Sequence, residues 1–208
     1  MTGLTAPNIL IDDLPDAVLI DGVEYPIETD FRSCLRVVLA FEDDELTAIE
    51  KQAVLLDNLY PERPHNLKGA LEQAVKFLNG GQDVRDDTGP QPRLYSFGQD
   101  AAYIFAAFRQ THGIDLEQIE YLHWWKFLAL FMDLGSETTF CQLVALRKRI
   151  KSGKASKEER RMYREMKDII DLPEPDLRTP EEKEREAVFL RMVEDGRRRK
   201  AQARAGQV

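Results

Sequence analysis

Residues 121–132 read Tyr-Leu-His-Trp-Trp-Lys-Phe-Leu-Ala-Leu-Phe-Met, the most apolar stretch of the chain, and they contain both of its tryptophans. Asp115 upstream is a residue type that caps helix starts, and Gly135 downstream is one that ends helices. A helix that is apolar on nearly every side must be buried on nearly every side. We therefore predict that an Asp115-capped helix through this stretch is the central core helix.

Further helices are predicted on both sides of this stretch from capping residues, apolar spacing and helix-ending glycines. Their bounds are Phe31 to about Phe41 after Asp30, Thr47 to about Leu59, Leu67 to Leu78, Phe97 to Phe108 with an end near Gly113, Ser136 to about Ile150, and Ser156 to Ile170. A last, highly charged helix is predicted from Thr179 to about Lys200. The fold class is therefore expected to be mainly α.

A short β-hairpin is predicted before the first helix. Asp21-Gly22 supplies the positive φ angles of a two-residue turn and separates the apolar segments 18–20 and 23–27. Pro26 has no N–H group, so its strand belongs at an edge. The complete expectation is a helical domain of about seven to eight helices with an N-terminal β-hairpin.

Three parts of the chain are predicted. Residues 1–17 form a flexible tail, residues 18–173 the helical domain with its hairpin and an internal linker at 82–93, and residues 174–208 a charged helix with a basic tail. The apolar stripe of that last helix is narrow, so we expect it to dock on a partner rather than on its own core. The stripe consists of Val188, Phe189, Met192 and Val193.

Composition and charge restrict the class of protein. The 208-residue chain is 43% hydrophobic, which suits a globular core, and it has neither a run of about 20 apolar residues nor a signal peptide. We therefore expect it in the cytoplasm and not in a membrane. Residues 1–60 carry a net charge of −10 and residues 146–208 one of +6. Such opposite poles can attract two different partners or neighbouring copies of the chain, and they argue against general nucleic-acid binding.

No residue set typical of catalysis or metal binding is found. The three histidines are scattered, and Cys34 and Cys141 are too far apart in sequence for a disulfide framework or a metal-ligand spacing, so we interpret both as core thiols. His123 is expected to be a core imidazole bonded to a backbone group or a carboxylate. The acidic residues 42–45 are expected to be solvated. No enzyme activity and no cofactor is predicted.

A basic run is the strongest charge feature of the sequence. Residues 147–151 contain four basic side chains, and the helix that follows presents Arg160, Arg161 and Arg164. Such a surface could bind phosphates, which makes nucleic-acid binding through residues 147–167 an alternative function. Acidic residues are interleaved, however, and no aromatic platform accompanies the run. Protein contact or plain solubility is therefore the favoured interpretation.

Three segments of the chain follow a recognisable pattern. Residues 95–108 read Tyr-Ser-Phe-Gly-Gln-Asp-Ala-Ala-Tyr-Ile-Phe-Ala-Ala-Phe, and Gly-Ile-Asp-Leu at 113–116 and Leu-His-Trp-Trp-Lys-Phe at 122–127 follow. Over roughly residues 18–173 the chain resembles the bacteriophage "gene product fifteen" proteins of siphophages and prophages. Its motif-core residues are Tyr95, Phe97, Asp100, Tyr103, Ile104, Phe108, Gly113, Ile114, Asp115, Leu122, His123, Trp124, Trp125 and Phe127. His112 stands where that family commonly has a tyrosine.

The resemblance implies a tail assembly chaperone in the host cytoplasm. Its implied partners are the tape measure protein, which it would keep soluble, and the tail tube protein, which it would help recruit. A structural minor tail or connector protein retained in the virion is the alternative. The candidate partner-binding residues are Arg160, Arg161, Arg164, Val188, Phe189, Met192 and Val193. Residues 176–208 lie outside the family pattern.

Overall fold

The computed structural model describes residues 7–82 and 92–172, and within these ranges the fold is mainly α. Two strands, β1 (Ala17–Ile20) and β2 (Val23–Pro26), precede eight helices: α1 (Phe31–Glu42), α2 (Ala48–Leu59), α3 (Leu67–Leu78), α4 (Ala101–His112), α5 (Trp124–Met132), α6 (Thr139–Lys151), α7 (Lys157–Glu165) and α8 (Lys167–Ile170). The predicted fold class is therefore confirmed. The predicted helix from Thr179, with Val188, Phe189, Met192 and Val193, lies outside the described residues, as does most of the predicted linker.

The hairpin forms as predicted and packs on α3. β1 and β2 are antiparallel, with Ile20 paired to Val23 across a turn in which Asp21 and Gly22 both have positive φ. The side chain of Ile20 is buried, and a Cβ atom added at Gly69 of α3 would lie 3.0 Å from its Cγ2 atom. Glycine at that position therefore allows the strand and the helix to approach closely.

Several helices begin at the predicted capping residues. The Asp30 carboxylate accepts the N–H of Arg32 before α1, and Thr47 forms a complete capping box with Glu50 before α2. Ser156 and Glu159 form a second capping box before α7. These caps satisfy N–H groups that have no partner inside the helix, and each cap uses side chains within three positions of the helix start.

The start of the central helix differs from the prediction. Asp115 accepts the N–H of Glu117 within a turn, and α5 begins only at Trp124. The segment before it pairs instead with the chain before α1, because the N–H of Phe31 donates to the carbonyl of Leu122 and the N–H of Trp124 donates to that of Thr29. This pairing keeps Leu122 and His123 outside a helix, which prevents an earlier helix start.

Three other helix bounds also differ from the prediction. α4 begins at Ala101 rather than Phe97, because side-chain carboxylates bind the N–H groups of Ser96 and Phe97 and hold these residues outside a helix. α6 begins at Thr139, capped by Thr138, and not at Ser136. The helix predicted from Ser156 to Ile170 is interrupted at Met166, whose φ of −120° is not helical.

Aromatic stacking around α5 forms the centre of the main core. Phe127 is fully buried and stacks on Phe31, Phe108 and Trp124 at centroid distances of 5.2, 5.0 and 5.3 Å. Buried side chains from the hairpin and from α1 to α6 surround this stack. The core position predicted for this stretch is thus correct.

One side of α5 nevertheless faces solvent. Lys126 and Ala129 are exposed, and Met132 is 82% exposed. Burial on nearly every side was expected from composition, and this is wrong for the face of α5 that carries these three residues.

A smaller apolar cluster attaches α7 and α8 to the domain. Leu143 and Leu146 of α6 pack with Ile170 of α8, and Tyr163 of α7 is only partly buried against them. The two last helices in the described chain are therefore held by few apolar side chains.

Candidate functional site

His123 has a structural role at the start of α5. Its Nδ1 atom accepts the N–H of Trp125 at 3.0 Å, and its Nε2 atom lies 3.1 Å from the carbonyl oxygen of Pro15. The ring is thus the N-cap of α5 and satisfies both contacts as a neutral imidazole with the proton on Nε2. Burial, chiefly, lowers the pKa of His123, in agreement with this neutral form. The predicted core imidazole is confirmed.

The adjacent tryptophans of the motif bind the end of α3. The indole N–H of Trp124 donates to the carbonyl of Leu78 at 2.9 Å, and that of Trp125 donates to the carbonyl of Phe77 at 2.8 Å. Carbonyl groups in the last turn of a helix lack an N–H donor four residues further on within that helix. Two consecutive indoles therefore satisfy two consecutive carbonyls, which explains why the tryptophans are neighbours.

Asp100 of the first motif forms a buried ion pair with Arg147 of α6. The side chains are 0% and 2% exposed, and their closest N–O distance is 2.6 Å. Asp100 also accepts the N–H of Ser96. Sequence reasoning placed Arg147 in the basic surface run, and this is wrong, because its partner lies 47 residues earlier in the chain.

Glu42 also lies in a binding position and not in a solvated acidic loop. Its carboxylate accepts the Ser96 hydroxyl and the N–H groups of Phe97 and Gly98, and it forms an ion pair with Arg93 at 2.7 Å. The expectation of a solvated residue is therefore wrong for Glu42. Its contacts hold the first motif against the end of α1.

The other motif residues are mostly structural as well. Ile104 and Phe108 of α4 and Leu122 are buried, whereas Tyr103 and Ile114 are partly buried. Gly113 ends α4 in the left-handed conformation. Two aromatic residues, Tyr95 and Phe97, contact one another edge to face at 5.5 Å. The motif thus describes a core and places no open chemical site among the described residues.

An apolar groove lies between α6 on one side and α7 with α8 on the other. We call it the α6–α7 groove; it has a volume of about 560 Å³. Its apolar lining comes from Leu143, Ala145, Leu146, Met162, Met166 and Ile170. A groove of this size and character is typical of binding sites.

The α7 side of the groove is incompletely covered. No residue of α7 is buried, and Met162 and Met166 are each 41% exposed although they line the groove. The helix α7 is strongly amphipathic, and the apolar face of such a helix is normally packed against other residues. Here that face is packed only in part. Methionine side chains are flexible and adapt to differently shaped partners.

The segment from the end of α6 through α7 to the start of α8 is basic. Residues 148–168 carry nine basic and four acidic side chains, a net charge of +5. Ion pairs engage Arg149 with Glu159 at 2.7 Å and Arg161 with Glu165 at 3.8 Å. Exposed side chains without a partner among the described residues are Lys148, Lys151, Lys154, Lys157 and Arg164.

The three arginines predicted to bind a partner differ in whether they already have partners within the protein. Arg160 donates to the carbonyls of Ala155 and Gly153, and Arg161 pairs with Glu165, so both are engaged on the protein surface. Arg164 is exposed. The sequence analysis did not predict the groove. The spacing of Met162 and Met166 among basic residues nevertheless indicated a helix with one apolar face and one basic face.

The described residues contain no group of three or more metal-ligand side chains and no helix long and apolar enough to cross a membrane. Both cysteines are free: Cys34 is buried, as expected, and Cys141 is partly buried and lines the groove.

Comparison with known proteins identifies a family match. The family model described as "Bacteriophage Gp15 protein" matches residues 10–172, which include the hairpin, all eight helices of the described chain and the α6–α7 groove. Neither a curated protein nor a solved structure matches the chain.

Proposed function

Because the chain belongs to the bacteriophage Gp15 protein family, we propose that it is a phage tail assembly chaperone that binds the tape measure protein. In this role it acts in the host cytoplasm and helps recruit tail tube subunits. The observation that carries the proposal is the family match over most of the chain.

The features of the described surface support a binding role. A chaperone for a long helical client needs an apolar surface that binds the apolar side chains of the client and so prevents the client from aggregating. The α6–α7 groove offers such a surface, with the exposed Met162 and Met166 on one side. We also propose that the protein acts without catalysis or a cofactor, since both ring nitrogens of His123 are engaged in structural contacts.

Co-expression with the tape measure protein tests this function. We expect the tape measure protein to be insoluble alone and to become soluble and co-purify when the full chain is present. An unrelated small helical protein, expressed at the same level, is the control. A tape measure protein that stays insoluble with this chain would contradict the proposal.

Mass spectrometry of purified virions separates the chaperone from a structural tail protein. A chaperone is released when the tail is complete, so we expect the chain to be absent from finished particles. Its presence at a stoichiometric level would instead favour a minor tail or connector protein.

A further inference from the structure

We propose that the protein associates with further copies of itself, with the cationic face of α7 in one copy bound to the acidic N-terminal turn of the next. The cationic face consists of Lys157, Arg160, Arg161 and Arg164, and the N-terminal turn consists of residues 8–16. This inference goes beyond the proposed function and does not depend on it, since it requires only contacts between copies of this chain.

The four cations of α7 lie side by side. Their spacing of three, four and seven residues from Lys157 places them on one face of the helix, and all four side chains are exposed. Met162 and Met166 lie on the other side of the helix by the same spacing. The cationic face is therefore a surface distinct from the α6–α7 groove.

The charge of the cationic face is only weakly balanced within the chain. Arg160 donates to two backbone carbonyls, and Arg161 lies 3.8 Å from Glu165 in a pair whose side chains are 74% and 68% exposed. An exposed pair of this kind contributes little to stability. Like charges three and four residues apart on a helix also repel one another, which destabilises α7. An anionic partner would relieve this repulsion, so the face is suited to bind one.

The N-terminal turn carries the opposite charge. Residues 8–16 contain three acidic side chains, Asp12, Asp13 and Asp16, and no basic one. All three are exposed. Within the described chain, the carboxylates of Asp13 and Asp16 form no ion pair and accept no hydrogen bond. These two charges are therefore available to a partner.

The same turn presents apolar side chains on a fixed support. Leu10 and Ile11 at its tip are 86% and 80% exposed. Asn8 closes the turn, because its N–H donates to the carboxylate of Asp12 and its carbonyl accepts the N–H groups of Ile11 and Asp12. Behind the turn, the carbonyl oxygen of Pro15 lies 3.1 Å from the imidazole that caps α5. Adjacent aliphatic side chains held exposed in this way are typical of a contact surface.

The two surfaces match in length and chemistry. Lys157 and Arg164 are seven residues apart, which corresponds to about 10 Å along the helix axis. Asp13 and Asp16 are three residues apart, a distance of at most about 10 Å in an extended chain, so both carboxylates can reach cations of this face at once. The aliphatic stems of lysine and arginine side chains offer apolar surface to Leu10.

A second copy is favoured over nucleic acid as the partner. The described residues include no ion pair between the N-terminal turn and α7 within one chain, so both surfaces remain for contacts between copies. The net charge of −8 makes the whole chain repel a polyanion. Because the contact joins two different surfaces, each further copy can add to the last one.

Sedimentation velocity of the full chain over a concentration series tests the proposal. At low salt we expect the weight-average mass to rise with protein concentration above that of one chain, and added salt should reverse this rise. A monomer at every concentration in low salt would overturn the proposal. Association that salt does not weaken would overturn it as well, because charge is the main attraction between the two surfaces.

Charge reversals identify the surfaces. One variant carries Asp13→Lys and Asp16→Lys. The other carries Lys157→Glu, Arg161→Glu and Arg164→Glu. Each variant alone should associate at least about tenfold more weakly, because its two surfaces now have the same sign of charge. A mixture of the two variants should associate again, since each supplies the surface that the other lacks.

A chain with all five reversals guards against a variant that fails to fold. Its turn is basic and its α7 face is acidic, so it should regain self-association, and circular dichroism checks that each variant keeps its helical content. Failure of both the mixture and this five-fold variant to associate, with helical content retained, would show that the two surfaces do not bind each other.

Control variants with the same changes in net charge separate this contact from general repulsion. Glu62→Lys with Glu117→Lys matches the first variant, and all four of the positions changed in either control's acidic or basic set lie outside the two surfaces. Arg36→Glu, Arg63→Glu and Lys68→Glu together match the second variant, at exposed positions. The controls should associate like the unmodified chain. Equal weakening of control and test variants would overturn the proposal.

The apolar tip provides a comparison that leaves charge unchanged. Leu10→Ser should weaken self-association at least about threefold, because less apolar surface is removed from water. Ile49→Ser, at a 79% exposed side chain of α2, is the matched control and should leave it unchanged. A chain that stays monomeric but binds duplex DNA, with affinity lost in Arg164→Glu, would instead assign the cationic face to nucleic acid.

Discussion

The guanidinium of Arg147 and the carboxylate of Asp100 form a two-point ion pair inside the domain, with N–O distances of 2.6 and 2.9 Å. The same guanidinium donates to the carbonyl oxygens of Leu94, Ile169 and Ile170. One side chain of α6 therefore joins the start of α4 to the end of α8. This arrangement also fixes the position of Ile170 beside the α6–α7 groove.

Replacing Arg147 should strongly destabilise the fold. Arg147→Met leaves the Asp100 carboxylate buried without its charge partner, so we expect the free energy of unfolding to fall by ~3 to 5 kcal/mol. Arg149→Met on the same helix is the control, because its side chain is 46% exposed and its pair with Glu159 should contribute less than ~1 kcal/mol. Urea unfolding measures both, and equal losses would contradict the prediction.

The adjacent tryptophans should be architectural rather than ligand-binding. Trp124 and Trp125 are 2% and 7% exposed, so we expect Trp124→Ala and Trp125→Ala each to cost ~3 to 5 kcal/mol. Met132→Ala, at an 82% exposed side chain, should cost less than ~0.5 kcal/mol. Thermal unfolding provides the measurement. Unchanged stability of both tryptophan variants together with lost tape measure binding would show that the assignment is wrong.

His123 should make stability depend on pH. Its pKa in the folded chain is lowered, chiefly by burial, from the usual value of 6.5. Between the lowered pKa and 6.5, the unfolded chain binds more protons at His123 than the folded chain does. The contribution of His123 to the free energy of unfolding therefore rises with pH in this window and is constant above it. We therefore expect urea midpoints to fall as the pH is reduced from about 7 to about 5.

The variant His123→Asn isolates this contribution. Asparagine retains a side-chain oxygen that can cap α5, but it does not titrate, so the pH dependence should become shallower. His65→Asn, at an exposed position, is the matched control and should leave the dependence in place. Identical pH profiles for the unmodified chain and His123→Asn would exclude this role.

The two cysteines should differ in reactivity. Burial, with smaller effects of Asp30 and Glu28, raises the pKa of the Cys34 thiol, and the residue is 0% exposed. Cys141 is partly exposed at the groove. We expect iodoacetamide to modify Cys141 first in the folded protein and both thiols in urea. Peptide mass mapping, with Cys141→Ser as control, measures the order; faster modification of Cys34 would contradict it.

The sequence predicted those parts of the fold that depend on neighbouring residues. The turn at Asp21-Gly22 and the caps at Asp30, Thr47 and Ser156 each require only side chains within a few positions, and all four form as expected. Several residues of the family motif, among them Phe108, Trp124 and Phe127, lie in the main core.

The errors arise where a residue has a distant partner. The start of α5 depends on pairing between residues 29–31 and 122–124, and the surroundings of Glu42 and Arg147 depend on contacts about 50 residues away in sequence. Local charge patterns gave no sign of these contacts. The α6–α7 groove was missed for the same reason, since it exists only between helices that pack together.

The two indoles at the junction of α3 and α5 also give the protein an internal optical reporter. Both tryptophans of the chain are buried there, and each is fixed by a hydrogen bond to a carbonyl of α3. The tryptophan fluorescence should therefore have a short emission wavelength in the folded protein. It should shift to longer wavelength when α3 and α5 separate and the indoles become exposed to water. Because neither tryptophan lines the α6–α7 groove, a client in that groove should leave this signal unchanged unless its binding propagates into the core.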